Sequence, residues 1–361
     1  MVRVLYDHEI SCLQPYGGIS RYFTELAPRI AAAGIPVTAF RGLHLSHGIL
    51  APHPLLTDYG MRLPNPAHTF RLRMLANRAL FAGCAAAFAQ RRRGLLHLTY
   101  YSAPPLGWKG PVVTTFFDAI HLRLPQYFPT TDPTVGRIRT ALARATAVIA
   151  ISASAADDAS ELYGIPRERI RVIHLGTTSL PAPKADRPLA APYLLHVGNR
   201  RGYKNYAALR TAYETTPALF QHYELVCCGG GPPSADECPA LGRAHFLSGG
   251  DDLLSTLYYH AALFVLPSLY EGFGLPVVEA MATNTPLVAL RVGSIPEVAG
   301  DAALLVPAGD PAALAAGLLA VLNDPLLRQT LIANGQRQAQ RFTWERCAAE
   351  HVALYRSVGD G

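Results

Sequence analysis

The sequence predicts an α/β fold in two domains, and three observations carry that prediction. Short, mostly apolar strand-like runs recur along the whole chain, from Val2–Tyr6 to Ala302–Val306, and continuous apolarity without polar alternation marks strands buried on both faces of a parallel sheet. Helical patterns and glycine-bearing turns separate these runs, as βα repeats require. At 361 residues the chain is long enough for two cores, and Leu180–Pro192 places four prolines in polar filler, the composition of a linker.

Taken in order, the first strand is Val2–Tyr6. It sits at the amino terminus with Arg3 and Asp7 in and beside it, which does not fit a signal peptide. No apolar run approaches the roughly 20 residues of a membrane-spanning helix; Ala79–Ala89 is the nearest and is too short. The six cysteines show no CxxC spacing and include the adjacent Cys227 and Cys228 in a strand-like run, so they are read as thiols in a reducing cytoplasm. Asp7-His8-Glu9 is read as polar strand-end residues rather than metal ligands. Gly17-Gly18 then precedes a helical pattern of Tyr22, Leu26 and Ile30, which puts flexible backbone at a helix N-terminus. The pair is not a GxGxxG, so a dinucleotide-binding dehydrogenase is disfavoured.

Pro36–Phe40 is the second strand, and Gly42–Pro66, rich in His, Pro and Gly, reads as long loops. Leu95–Tyr101 and Pro111–Phe117 are strands, with Asp118 and His121 just past the carboxyl end of the second, where open parallel sheets bind ligands. Tyr100, Tyr101 and His121 are candidate contacts for a sugar, since aromatic faces stack on sugar rings, with core packing as the alternative. Ala147–Ile151 is a strand. Ser152 and Ser154 with Asp157 and Asp158 form the capped, acidic start of a helix that Gly164-Ile165-Pro166 ends. Ile170–Ile173 closes the first domain, 1–180, with the linker at 181–192 and the second domain at 193–344.

Charge divides unevenly. To residue 180 there are 19 basic against 10 acidic residues, a net of +9; the remainder has 13 against 16, a net of −3. Arg71, Arg73, Arg78 and Arg91–Arg93 interleave with Leu72, Met74, Leu75, Leu80 and Phe81. Such a surface suits an anionic membrane face or a lipid diphosphate, with a solvated helix face as the alternative. No nucleic-acid-binding module is present to claim the charge.

In the second domain Tyr193–Val197 is the first strand, and the loop Gly198–Asn205 follows it with Arg200 and Lys204. Lysine is rare here: Lys109, Lys184 and Lys204 are all there are. Cations fixed at this position suit a bound phosphate or diphosphate. Leu225–Cys228 ends in Gly229-Gly230-Gly231, a turn that lets backbone approach a ligand. The most informative run is Leu263–Glu279, LFVLPSLYEGFGLPVVE. A buried strand, Leu263–Leu266, leads through Glu271-Gly272-Phe273-Gly274-Leu275 to a helix beginning at Pro276. The helix tip is an anion seat, and the carboxylates of Glu271 and Glu279 suit sugar hydroxyls rather than phosphate. The implied ligand is a nucleotide sugar.

The segment Glu271–Met281, with its two glutamates separated by seven residues, resembles the signature of the retaining GT-B glycosyltransferases of family 4, and Gly198–Asn205 is similar to their GxRxxYKN loop. The resemblance implies two Rossmann-like domains facing across a cleft and a C-terminal helix, about 345–361, crossing back to the first domain. It implies donor contacts at Gly17, Gly18, Arg200, Lys204, Gly230, Glu271–Leu275 and Glu279, and acceptor contacts at Tyr16 and Arg21 beside those named above. Glu271 would orient the transferred sugar and Glu279 the ribose. The acceptor proton would go to the departing phosphate, with a covalent intermediate on Asp118 as the alternative. No DxD motif is present, so no metal and no cofactor beyond the nucleotide-sugar co-substrate is expected. The acceptor would be a glycan or lipid-linked saccharide, and the location cytoplasmic, with peripheral membrane contact left open. Two departures stand out: Phe117 replaces a histidine common in relatives, and Asn284 stands where they often have glycine. A GT-B epimerase and a non-catalytic nucleotide-sugar-binding protein are the rival readings.

Overall fold

The computed structural model describes residues 2–15, 17–48, 50–63, 69–90, 94–177 and 187–359. Tyr16, Arg91–Arg93 and linker positions 181–186 lie outside the described residues. The chain forms two compact units: Met1–Leu122, Pro129–Gly176 and Trp344–Gly361 make the first, and Arg123–Phe128 with Thr177–Thr343 the second. The sequence reading put 1–180 and the C-terminal helix of about 345–361 together; here Trp344–Gly361 falls in the first unit, and Arg123–Phe128, inside 1–180, in the second. Arg123–Phe128 joins the second because Phe128 stacks on Tyr203 at 6.3 Å and Tyr127 lies against Gly202.

The first unit is built on a seven-stranded, all-parallel sheet: β1 (Arg3–Tyr6), β2 (Val37–His44), β3 (Leu56–Arg62), β4 (Gly94–Leu98), β5 (Val112–Phe116), β6 (Ala147–Ala150) and β7 (Ile170–Val172), in the order β3-β2-β1-β4-β5-β6-β7. The direction of winding reverses between β1 and β4. Strand β3 corrects the expectation of loops over Gly42–Pro66. It is an edge strand with six of its seven residues exposed, so it lacks the apolar pattern that identifies a strand, and its Asp58 pairs with Arg41 of β2. Leu5, Leu96, Leu98 and Val112 pack against Phe40, Phe81 and Phe88. The Phe70–Ala89 helix buries a single stripe of Arg73, Asn77, Phe81, Ala85 and Phe88, residues three and four apart that share one helix face. Helix Ala153–Tyr163 starts and stops as the sequence predicts: Ser152 accepts from the Ala155 N–H at 2.9 Å and Gly164 ends it at φ 69°.

The Trp344–Gly359 helix completes this unit through a buried hydrogen-bonded chain whose directions follow from one carbonyl. His351 Nδ1 donates to Cys347 O (2.7 Å), so its Nε2 accepts from the Tyr22 hydroxyl (2.5 Å). Tyr22 then accepts from Thr115 (3.3 Å) and Thr115 from His97 Nε2 (2.8 Å). His97 Nδ1 accepts from Tyr355 (2.6 Å), which accepts from Tyr6 (3.1 Å). Donor and acceptor capacities match along its whole length. Burial holds His97 well below the usual histidine range and His351 at about 4.

The second unit has six parallel strands: β8 (Tyr193–Val197), β9 (Glu224–Cys228), β10 (Ala244–Leu247), β11 (Leu263–Leu266), β12 (Leu287–Leu290) and β13 (Ala303–Val306), ordered β10-β9-β8-β11-β12-β13. Leu194, Leu225, Leu263, Val265 and Val288 form its core with the helices Tyr206–Glu214 and Pro311–Asn323. Winding reverses between β8 and β11. Both units thus have the Rossmann-like plan, with the ligand-binding crevice of each expected at the carboxyl ends of its reversal strands. Among the described residues no helix is long and apolar enough to cross a membrane.

Candidate active site

In the second unit, the loops leaving β8 and β11 meet at that crevice. Two hydrogen bonds tie them together: Leu269 N donates to Tyr203 O (2.8 Å), and Asn205 Nδ2 donates to Pro267 O (3.0 Å). Asn205 is left-handed at φ 54°, a conformation asparagine tolerates better than most residues. The result brings Lys204 Nζ to 2.7 Å from Glu271 Oε1, both side chains largely but not wholly covered. The Lys204 ammonium also lies 5.2 Å from the Tyr203 ring centre.

Glu271 is held from behind. Its carbonyl accepts from Ser294 N (3.2 Å) and Ser294 Oγ (2.9 Å). At Gly293, φ 49°, a Cβ would stand 2.6 Å from that same carbonyl, so any larger residue displaces the Glu271 peptide. Gly274 is left-handed at φ 90° and opens the Leu275–Ala282 helix, whose start has Pro276 in its first turn and no side-chain cap. Gly272 and Leu275 are half-buried beside it. One turn in, Glu279 is 8 % exposed and accepts from the Tyr258 hydroxyl at 3.1 Å. Burial, then the Glu279 charge, pushes that phenol well above its usual range. Asn284, φ 60°, takes the left-handed position after the helix, a conformation that glycine adopts freely and asparagine tolerates.

Arg200 corrects the sequence reading. Its guanidinium is taken up by partners inside the second unit. It is buried, 3 % exposed, and paired with Glu237 through Nε (3.1 Å) and Nη2 (3.0 Å). It also donates to the carbonyls of Gly229 (2.5 Å) and Gly231 (2.9 Å). All three glycines of this turn have positive φ, which aims their carbonyls at the guanidinium, and a Cβ on Gly230 would meet Arg200 Nη1 at 2.9 Å. Arg200 thus positions the glycine turn, with Gly230 exposed on it. Beneath the loop, burial and then the Lys204 and Arg200 charges hold His196 at about 4. The Phe273 ring is buried and packs edge-on against Phe342 at 5.5 Å, so a donor contact at this position would fall to its backbone.

In the first unit, Gly17 and Gly18 are exposed at the uncapped start of the Gly18–Ala32 helix, and Arg21, half-buried, lies in its first turn. Asp118 follows β5 and accepts from Ile120 N at 3.1 Å. Tyr101 is 5 % exposed and its hydroxyl accepts from Phe117 N at 3.1 Å, as the packing alternative has it. Tyr100 stays half-buried beside it, ring centres 4.6 Å apart; burial, then the Asp118 and Asp132 charges, pushes its phenol up to about 12. His121 Nε2 lies 3.4 Å from Asp132. Phe117 packs edge-on against Tyr22 at 5.8 Å, a core contact.

Glu237, Tyr258, Gly293 and Ser294 were missed from sequence. Glu237 had a legible signal, since Ser234–Glu237 is a capping-box spacing and the box forms. The other three are long-range partners without a local signature.

Residues 182–338 match the family Glycosyl transferases group 1, and residues 16–178 match Glycosyltransferase Family 4. The chain is 30% identical to the O-antigen chain mannosyltransferase B of Escherichia coli over 270 residues, 68% of this chain and 70% of that one. Among solved structures it is similar to a sucrose-phosphate synthase from Thermosynechococcus elongatus (TM-score 0.76, 23% identity, 99% of each chain). It is also similar to Anabaena Alr3699/HepE in complex with UDP and glucose (TM-score 0.74, 18% identity, 99% of this chain and 100% of that one). These likenesses share the GT-B fold found in the two units. The chain belongs to the group 1 glycosyltransferases of family 4.

Proposed function

We propose that the protein transfers a hexosyl group from a nucleotide sugar, GDP-mannose-like or a UDP- or dTDP-hexose, to a glycan or lipid-linked saccharide in cell-surface polysaccharide biosynthesis. The anomeric configuration is retained and no metal takes part. The observation that carries this reading is the Lys204–Glu271 pair at 2.7 Å, set at the reversal point of the second sheet beside an uncapped helix start. The E. coli relative named above is a mannosyltransferase of the O-antigen chain, and the Anabaena neighbour was solved with UDP and glucose; both support the choice of donor and acceptor class.

The chemistry follows from these groups. A diphosphate would draw the Lys204 ammonium from Glu271, and the helix start adds its partial positive charge. Charge builds on the leaving phosphate as the glycosidic bond breaks, so these cations act most strongly in the transition state. Glu271, released, accepts from hydroxyls of the transferred sugar, and Glu279, steadied by Tyr258, accepts from the ribose. The departing phosphate oxygen takes the acceptor proton. Asp118 is the alternative nucleophile, and trapping a glycosylated Asp118 peptide with a slow donor would establish that route instead.

A thermal-shift screen over GDP-, UDP- and dTDP-sugars tests the donor, because a ligand of the folded state raises the melting temperature with the logarithm of its saturation. NMR of the product then reads the anomeric configuration, and activity in EDTA reads metal dependence. An unmoved melting temperature with every nucleotide sugar, an inverted product, or activity lost to EDTA and restored by a divalent ion would each overturn the corresponding part.

A further inference from the structure

The two sheets have four edges, and three of them end in strands short enough to discourage pairing: β7 has three residues, β10 and β13 four each. Strand β3 has seven, LTDYGMR, without the proline or lysine that blunts exposed edges. Among the described residues no strand covers its outer side. Tyr59 and Met61 stand on one face of it, 54 % and 62 % exposed. The edge carries none of the donor or acceptor residues named above.

Its backbone has a definite phase. At the two ends Val37 N donates to Leu55 O (2.8 Å) and Leu63 N donates to His44 O (3.0 Å), so the odd-numbered residues turn their peptide groups to β2. The irregularity in the pairing lies in β2, between Phe40 and Gly42, which leaves the alternation of β3 unbroken. Asp58, Gly60 and Arg62 therefore turn their N–H and C=O groups outward. An antiparallel copy related by a two-fold axis must match outward residues to outward residues. An axis at Gly60 does so: Gly60 meets Gly60, Asp58 meets the copy's Arg62, and Tyr59 meets the copy's Met61. Opposite residues of an antiparallel pair share a face. Opposite charges thus meet on one side of the sheet, and aromatic meets thioether on the other. An axis at Tyr59 also matches the backbone, but it sets Asp58 against Gly60 and leaves both charges unmatched. Within the chain Asp58 holds Arg41 and Arg62 reaches His47. A carboxylate has about four acceptor sites and a guanidinium about five donors, so each can serve a second partner. The seam ends with these pairs, because Leu56 N is taken by His53 O (2.9 Å) and Pro64 has no N–H.

We propose that β3 is a self-recognition edge: two copies of the chain join their seven-stranded sheets antiparallel at β3, about a two-fold axis at Gly60, into one continuous sheet.

Sedimentation velocity of the full chain tests this. One strand makes a small seam, so the parent chain should pass from monomer to dimer between about 1 and 100 μM; a monomer across that range overturns the proposal. Asp58→Arg and Arg62→Asp each set like charges opposite one another at both ends of the seam, and each alone should self-associate at least ~10-fold more weakly. Mixed in equal amounts, the two variants carry opposite charges at every such position and should associate as the parent does. Parent-like dimers of either variant alone, or no association in the mixture of folded variants, overturn the pairing about Gly60. Asp58→Arg also gives up Arg41; if it does not fold, Met61→Asp decides, since it leaves the Asp58–Arg41 pair in place, and unaltered self-association there refutes the seam. Phosphatidylglycerol vesicles probe the other use of an exposed Tyr59 and Met61. A parent monomer that floats with them, and no longer does so as Met61→Asp, assigns the edge to a lipid surface and overturns the dimer.

Discussion

Arg200→Met tests whether this arginine supports the donor loop or touches the donor. The side chain is 1 % exposed and faces Glu237, itself 7 % exposed. Removing one member of a buried ion pair costs about 3–5 kcal/mol, because the remaining charge is stranded. Here Glu237 keeps Arg201 at 3.2 Å, on a side chain 71 % exposed, so the lower end applies, about 3 kcal/mol. In a domain of this size each kcal/mol moves the melting temperature by about 2–4 °C, which places the loss near 6–12 °C. Differential scanning calorimetry should show the fall, and a partial recovery in Arg200→Met/Glu237→Leu, where neither charge is left buried. Measured well below the transition, nucleotide affinity should fall less than about tenfold, through loosening of Gly229–Gly231 alone. A direct contact with the diphosphate predicts the reverse, since losing a charge-assisted bond of about 1.5–3 kcal/mol weakens binding by about ten- to a hundredfold. An unchanged melting temperature with at least tenfold weaker nucleotide binding would refute the supporting role.

Three further outcomes are expected. Glu271→Gln should lower kcat by at least ~100-fold with the fold intact, as expected for a group that acts mainly in the transition state; unaltered turnover would remove it from the reaction. Lys204→Ala should weaken nucleotide binding and turnover together, by about tenfold or more each, and kinetics that match the parent would return the loop to a structural role. Stability should fall on acidification: unfolded histidines take up protons below about pH 6.5, whereas His351 resists until about 4, so the unfolded state holds more protons across that window. At about 1.4 kcal/mol per pKa unit, His351 alone withdraws roughly 3 kcal/mol by pH 4, and the stability is fully present above pH 6.5. Trp344, buried against Tyr22, reports it by fluorescence in a Trp108→Phe background; urea midpoints equal at pH 7 and pH 4.5 would contradict the assignment.

The strands were legible wherever burial on both faces left an apolar run, as at Leu263–Leu266, and the caps wherever a side chain bonds its own helix, as at Ser152. Strand β3 was not, because an exposed edge has no hydrophobic period. In the candidate site, sequence placed Lys204, Glu271 and Glu279 in one unit, and the structure joins the first two directly. It could not tell which basic residue of Gly198–Asn205 turns inward, because that depends on Glu237, 37 positions away from Arg200. The clamp of Gly293 and Ser294 on Glu271 is likewise set by a contact across 23 positions that no local pattern announces.

The chain from Cys347 through His351 and Tyr22 to Tyr6 has a bearing on biosynthesis. Tyr6, Tyr22, His97 and Thr115 leave the ribosome well before their partners Tyr355 and His351. Until those emerge, a run of interior hydroxyls and imidazoles has no mate, and the first sheet to be translated is the last to be sealed. The second sheet lies within one uninterrupted stretch, Tyr193–Val306, and can finish ahead of it. A message cut short before codon 347 should therefore release a product whose leading half stays open to proteases while its trailing half is already closed.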